Sequence, residues 1–260
     1  MPRSLKRSLI AAAALACSTL ALADAPATPE KAPIANSDMD APLFYQLLIG
    51  EIELRNGQPG LAFQVLLDAA RRSGDGALYQ RVVAIALNAR AGDQALLAAR
   101  AWAETNPKSA EAQQACLQLL ALLNRPTEAA EPLRALLALR PEVQRPALIA
   151  SLPQLFARSP EPKKVFATLD PVLRQQGEPA PVQLAALLAR GRLALSADAR
   201  DVAFDLAREA ARLAPDSDEP AQLALELLPK TVEAEALVRA RLTSTSASPL
   251  LRLGWARALA

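Results

Sequence analysis

The chain has 260 residues, of which 52% are apolar, 22% charged and 3% aromatic, with no histidine and 2 cysteines. The missing histidine removes Ser–His–Asp and Cys–His nucleophile systems and the commonest metal ligand. With 29 basic against 27 acidic residues, and no basic stripe interleaved with aromatics, nucleic-acid binding has little support.

The first segment reads as an address. Arg3, Lys6 and Arg7 precede a mostly apolar stretch from Ser8 to Leu20, and Ala21-Leu22-Ala23 has the A-x-A pattern of a cleavage site. Residues 1–23 are therefore expected to be a secretory signal peptide, with the mature chain beginning at Asp24. The apolar stretch is too short and too rich in small residues for a permanent membrane span. A rival reading takes Ala14-Leu15-Ala16-Cys17, which resembles the bacterial lipobox, with Cys17 lipidated. Ala14 stands where that motif usually has leucine, so cleavage after Ala23 is preferred. The expected location is the periplasm, with an outer-membrane lipoprotein as the alternative. Membrane association is expected only through such an anchor. Losing the leader removes three positive charges and leaves 26 basic against 27 acidic residues, so the basic balance belongs largely to the address.

Residues 24–42, DAPATPEKAPIANSDMDAP, carry prolines, charges and small polar residues with no helical period. They read as a flexible linker. Packing of Met39 to Pro42 as a cap on the first helical unit is the competing reading.

Residues 43–260 read as all-helical. Apolar residues recur at three- and four-residue steps, as in RDVAFDLAREAARLA, and Ala, Leu, Arg, Glu and Gln dominate. Runs of β-branched residues are scarce, so strands have little support. A ladder runs through this region. Ala62 and Gly74, Ala95 and Pro107, Ala129 and Pro141, Ala167 and Pro179, and Ala203 and Pro215 are each 12 residues apart, and the pairs recur every 33 to 38 residues. A fixed period in this range marks a solenoid of helical pairs. The alanine is expected where the second helix of a pair crosses the first. The proline, or a left-handed glycine, ends that second helix.

The pattern resembles tetratricopeptide repeats. LFYQLLIGEIELRNGQPGLAFQVLLDAARRSG carries Gly50, Gly57, Ala62, Ala69 and Gly74 where that family prefers small residues or a turn. LAALLARGRLALSADARDVAFDLAREAARLAP repeats the pattern with Gly191, Ala203, Ala210 and Pro215. Val83, Leu117 and Leu155 replace the small residue of the first helix in their units. The fourth unit carries Pro160, Pro162 and Pro171, and the sixth has Leu237 at the alanine position before Pro249. The expected fold class is all-α, an α-solenoid of tetratricopeptide-like helix-turn-helix repeats with about six units. After Pro249, LLRLGWARALA looks like a first helix without its second.

Little chemistry is encoded. Cys116, within AQQACLQLLALL, reads as a small core residue, and no metal, cofactor or catalytic site is expected. Asp216 and Glu219 have capping-box spacing. Asp198, Asp201 and Asp205 lie near a helix start. Trp102, Trp255, Phe63 and Phe204 read as packing residues.

The surface remains. The resemblance implies that the first helices of the pairs line a concave, protein-binding side. Carried onto this sequence, it points to Phe44, Leu47, Glu51, Leu54 and Arg55, to Glu111, Gln114, Gln118 and Leu122, and to Ala185, Leu188, Arg192 and Leu195. The partner expected there is another protein or a peptide segment. Residues 43–141 also resemble lipoprotein adaptors that deliver substrates to carboxyl-terminal processing proteases. The functional expectation is an exported scaffold or adaptor without enzymatic activity. The alternative is a structural assembly factor of an outer-membrane or secretion complex.

Overall fold

The computed structural model describes residues 40–228, 232–244 and 246–259. The expected leader with its Ala21, Ala23 and Asp24 junction, Cys17, and all of the expected linker before Asp40 lie outside the described residues.

Among the described residues, thirteen α-helices follow in order. The first three units are α1 (Ala41–Arg55) with α2 (Pro59–Ser73), α3 (Gly76–Asn88) with α4 (Gly92–Thr105), and α5 (Ala110–Leu122) with α6 (Ala130–Leu139). Then come α7 (Arg145–Leu155) and α8 (Pro162–Arg174), α9 (Ala180–Ser196) with α10 (Arg200–Leu213), α11 (Glu219–Leu227) with α12 (Val232–Leu242), and α13 (Pro249–Leu259). The α1 helix opens at Ala41, where the Asp40 carboxylate accepts from the Leu43 amide at 2.8 Å. The last residues assigned to the linker thus begin the first unit.

One turn, used four times among the described residues, builds the period. Gly57, Arg90, Asn124 and Asp198 sit in the left-handed region at φ 75°, 57°, 54° and 62°. The amides of the residues that come next, Gln58, Ala91, Arg125 and Ala199, reach back to the carbonyls of Glu53, Ala86, Leu120 and Ala194. This is a Schellman closure, in which a left-handed residue lets the last carbonyls of the first helix be satisfied. Four residues after each of those amides stand Ala62, Ala95, Ala129 and Ala203, all fully buried. The alanine half of the ladder is thus a consequence of turn geometry. Its other half also holds. Gly74 ends α2 in the left-handed region, and Pro107, Pro141 and Pro215 come just after the ends of α4, α6 and α10.

The fourth unit departs from this rule. Pro160 occupies the position of the left-handed residue, and the proline ring fixes φ near −65°. The Schellman closure is lost, and the Glu161 amide bonds the Ser159 hydroxyl instead. The residue four beyond Glu161 is Val165, which is buried, whereas Ala167 is exposed. The expected buried position at Ala167 is corrected to Val165, and α8 ends at Arg174, well before Pro179. The helices diverge too. In the other five units the two helices pack on each other, but α7 runs along α9, and α8 packs on α6 and α9. In the sixth unit the fully buried small residue is Ala234, and Leu237 is only half-buried.

The core runs through the array as neighbouring clusters, from Phe63 in α2 to Leu251 in α13. Trp102 packs parallel to the buried Tyr79 with ring centroids 6.3 Å apart, and the Tyr79 hydroxyl bonds Thr105 Oγ1 at 2.7 Å. The Asn106 side-chain amide donates to the Gly74 carbonyl at 3.1 Å, tying successive units together. Two buried ion pairs add further ties. Asp170 of α8 accepts from Arg174 and from Arg190 of α9, each at 2.7 Å. Arg241 of α12 places Nε 2.7 Å from Asp218 Oδ1, and donates to the carbonyls of Asp216 at 2.7 Å and Ser246 at 3.3 Å. The Asp216–Glu219 capping box does not form. Asp218 stands at the N-cap of α11, its carboxylate accepts the Ser248 amide at 2.7 Å, and the Glu219 amide bonds Ser217 Oγ. Asp216 contributes its backbone carbonyl to Arg241 rather than a cap.

Candidate functional site

The first helices of the units share a face, and their relative packing shapes it. The α7 helix packs directly on α9 and α9 on α11, whereas α3, α5 and α7 approach one another less closely. Between these three lies an open cleft of about 590 Å³. Its floor is α5, through Ala115, Gln118, Leu119, Ala121 and Leu122. Val83 and Leu87 of α3 form one side, and Leu155 with Arg158 after α7 the other. Leu122 is 64% exposed and Leu87 39% exposed, so apolar carbon is left open to water. Asn124, the left-handed residue after α5, closes one end.

A second, smaller groove of about 350 Å³ lies across α7, α9 and α11. Pro146, Ala147 and Ala150 face Leu184, Ala185, Leu188 and Arg192, with Glu219 at the edge. Its residues lie near the start of α7, whereas Leu155 and Arg158 lie at its other end. Both depressions therefore use the same helix.

The expected binding residues divide into three groups. Gln118 and Leu122 lie in the cleft, and Ala185, Leu188 and Arg192 in the groove. Leu188 is buried and forms part of the groove floor, and Arg192 lies 3.8 Å from Glu226. Leu195 is half-buried against the core. The α1 residues lie apart from both depressions. Leu47 and Leu54 pack on the core, Glu51 pairs with Arg81 of α3 at 3.1 Å, and Phe44 and Arg55 are exposed. Gln114 accepts from Arg140 at 2.6 Å, and Glu111 accepts from the Ser109 hydroxyl at 3.2 Å, both outside the cleft.

Sequence reasoning missed Val83, Leu87, Leu155 and Arg158. The signal was present. Val83 and Leu155 are two of the three positions where a larger residue replaces the small one in the first helix. Both replacements line the cleft.

Burial pushes the Cys116 thiol up to about 11, against a smaller opposing pull from Arg100, so it is a buried protonated thiol. Among the described residues, no group of three or more His, Cys, Asp or Glu side chains could hold a metal ion, and no helix is long and apolar enough to cross a membrane. Trp102 and Phe63 are buried as expected. Phe204 and Trp255 are half-buried, each with an arginine, Arg208 and Arg239 respectively, 5.8 Å from the ring centre.

No family model matches the chain, and no curated protein matches it. Among solved structures, a crystal structure of MamA protein is similar, with a TM-score of 0.38 and 13% identity over 68% of this chain and 94% of that one. A likeness at that level carries no argument. The all-α solenoid rests on the paired helices and their recurring turn.

Proposed function

We propose that this chain is an exported scaffold or adaptor that holds another protein against the face formed by the first helices of its units. The observation that carries this reading is the open apolar cleft between α3, α5 and α7, where Leu87 and Leu122 remain uncovered. Exposed aliphatic carbon rimmed by polar side chains is the usual chemistry of a docking surface. The leader-like residues 1–23 support an envelope setting, and the resemblance of residues 43–141 to protease adaptors supports delivery of substrates to a protease.

A photo-crosslinking residue at Gln118 or Leu122, in cells, tests the proposal. Val202, which lies on α10 and is 43% exposed, is the control position. A discrete partner is expected from the cleft positions and not from Val202. Equal labelling from Val202, or none from the cleft, would sink the reading.

A second reading has its own observation. Phe44, Tyr45, Leu48 and Ile52 are all exposed, and they fall on one side of α1. Such a stripe suits a fixed part of an assembly covered by a permanent neighbour. An assembly factor should co-purify at constant ratio with partners crosslinked through Tyr45, and an adaptor should exchange its cargo.

A further inference from the structure

We infer that the cleft takes an acidic amphipathic helix from its partner. This rests on the docking reading above and specifies its ligand.

The shape argues for a helix. Packed helices lie about 8–10 Å apart axis to axis, and a ligand helix resting on α5 between Val83 and Leu87 on one side and Leu155 on the other would meet all three helices. A helix with its side chains is about 10–12 Å across, so it would seat its apolar face in the opening and leave its other face in water. From Ala115 to Leu122 the floor runs about 10 Å, two helical turns. A ligand helix would therefore present apolar residues at i, i+3, i+4 and i+7. The small side chains of Ala115 and Ala121 leave depth for them, and Val83, Leu87, Leu122 and Leu155 supply the contact.

The charge argues for acid. Residues 76–90, 110–124 and 145–158, which comprise the three framing helices and the turns after them, contain four arginines (Arg81, Arg90, Arg145, Arg158) and one acidic residue, Glu111. Glu111 stands at the far end of α5 from the cleft. Arg81 is held by Glu51, and Arg145 donates to the Arg140 carbonyl. Arg90 and Arg158 are exposed and form no ion pair among the described residues. A cation near a helix C-terminus is favoured by the dipole, which accounts for Arg90 locally. It does not account for three adjacent helices whose only acid lies away from the opening. A ligand with glutamates flanking its apolar stripe would meet Arg158 at the wall and Arg90 at the end of α3.

The test uses the full chain and two fluorescein-labelled helical peptides. Both carry leucine at i, i+3, i+4 and i+7, and one has glutamate and the other lysine at the flanking positions. By anisotropy at low salt the acidic peptide is expected to bind at least about tenfold more tightly, with the preference shrinking as salt rises. Arg158→Glu with Arg90→Glu should reverse the preference. Leu122→Glu, at an exposed position that leaves the fold intact by circular dichroism, should abolish binding of both. Equal affinity for the two peptides, or a preference unmoved by the arginine substitutions, overturns the inference. If both peptides bind equally and both are lost in Leu122→Glu, the acidic helix is wrong and the docking face stands. If neither peptide binds and Gln118 yields no crosslink, both readings fall.

Discussion

Asp218→Asn should loosen the C-terminal end of the array and leave the rest intact. Arg241 is 8% exposed and its Nε lies 2.7 Å from Asp218 Oδ1. Asparagine keeps the shape and removes the charge, leaving a buried guanidinium beside neutral acceptors. Breaking a buried pair typically costs about 3–5 kcal/mol. Arg241 would retain the Asp216 carbonyl and the Ser246 hydroxyl and carbonyl, so the cost falls below that range, to about 2–3 kcal/mol. In a repeat array the loss is local, because each unit contacts mainly its neighbours. Hydrogen exchange should therefore show α11 to α13 opening about 30- to 150-fold more often, while α2 to α5 are unchanged. Asp218→Asn with Arg241→Met should recover much of the loss, since the stranded charge is gone.

The same pair sets an acid limit. Hydrogen bonding from Ser248, against burial and helped by Arg241, holds the Asp218 carboxyl below its ordinary range. A depressed folded value means the stabilisation is fully present above the ordinary aspartate value of about 3.9 and is lost as pH falls through the lower folded value. Protection of α12 and α13 should be level from pH 7 to 5 and fall below about pH 4, and the fall should be absent in Asp218→Asn. Uniform loss of protection along the whole chain, or a double variant no better than the single, would refute the reasoning.

Other tests address the repeat itself. Gly50→Val should cost about 1–3 kcal/mol by urea unfolding, because a Cβ there would lie 2.5 Å from Leu66 Cγ and Cδ2. Arg90→Gly should stabilise by up to about 1 kcal/mol in the same assay, since arginine there holds φ at 57° and glycine does so freely. Cys116 should react with a thiol reagent at pH 8 only on the timescale of local or global opening, its thiol being raised to about 11 by burial. Labelling as fast as that of a free thiol would place it outside the core.

Much of the architecture was legible because one local device is repeated. The Ala62, Ala95, Ala129 and Ala203 positions are fixed by a turn four residues upstream, and small residues with helix-ending prolines report that geometry directly. The fourth unit was not legible in detail, because its Pro160 replaces the turn and shifts the register to Val165. The ion pairs of Asp170 with Arg190 and of Asp218 with Arg241 join residues 20 or more positions apart, and neither periodicity nor composition signals such pairings. The cleft was half-visible. Gln118 and Leu122 come directly from the repeat pattern, whereas Val83 and Leu155 looked like imperfections in it.

Those imperfections connect the fold to the site. A regular unit needs a left-handed residue before its second helix, and Pro160 cannot supply one. The α7 helix therefore ends in the turn Phe156–Arg158 and lies along α9 instead of on α8. It packs on α9 rather than on α5, and Leu155 and Arg158 form the wall of an opening. A small residue at position 155 would deepen the opening but remove its apolar wall. The aliphatic residue thus makes the gap attractive to carbon. Leu155→Ala should accordingly weaken the leucine-bearing peptides without changing the preference for acid, whereas Arg158→Glu should change the preference and leave the apolar contact in place.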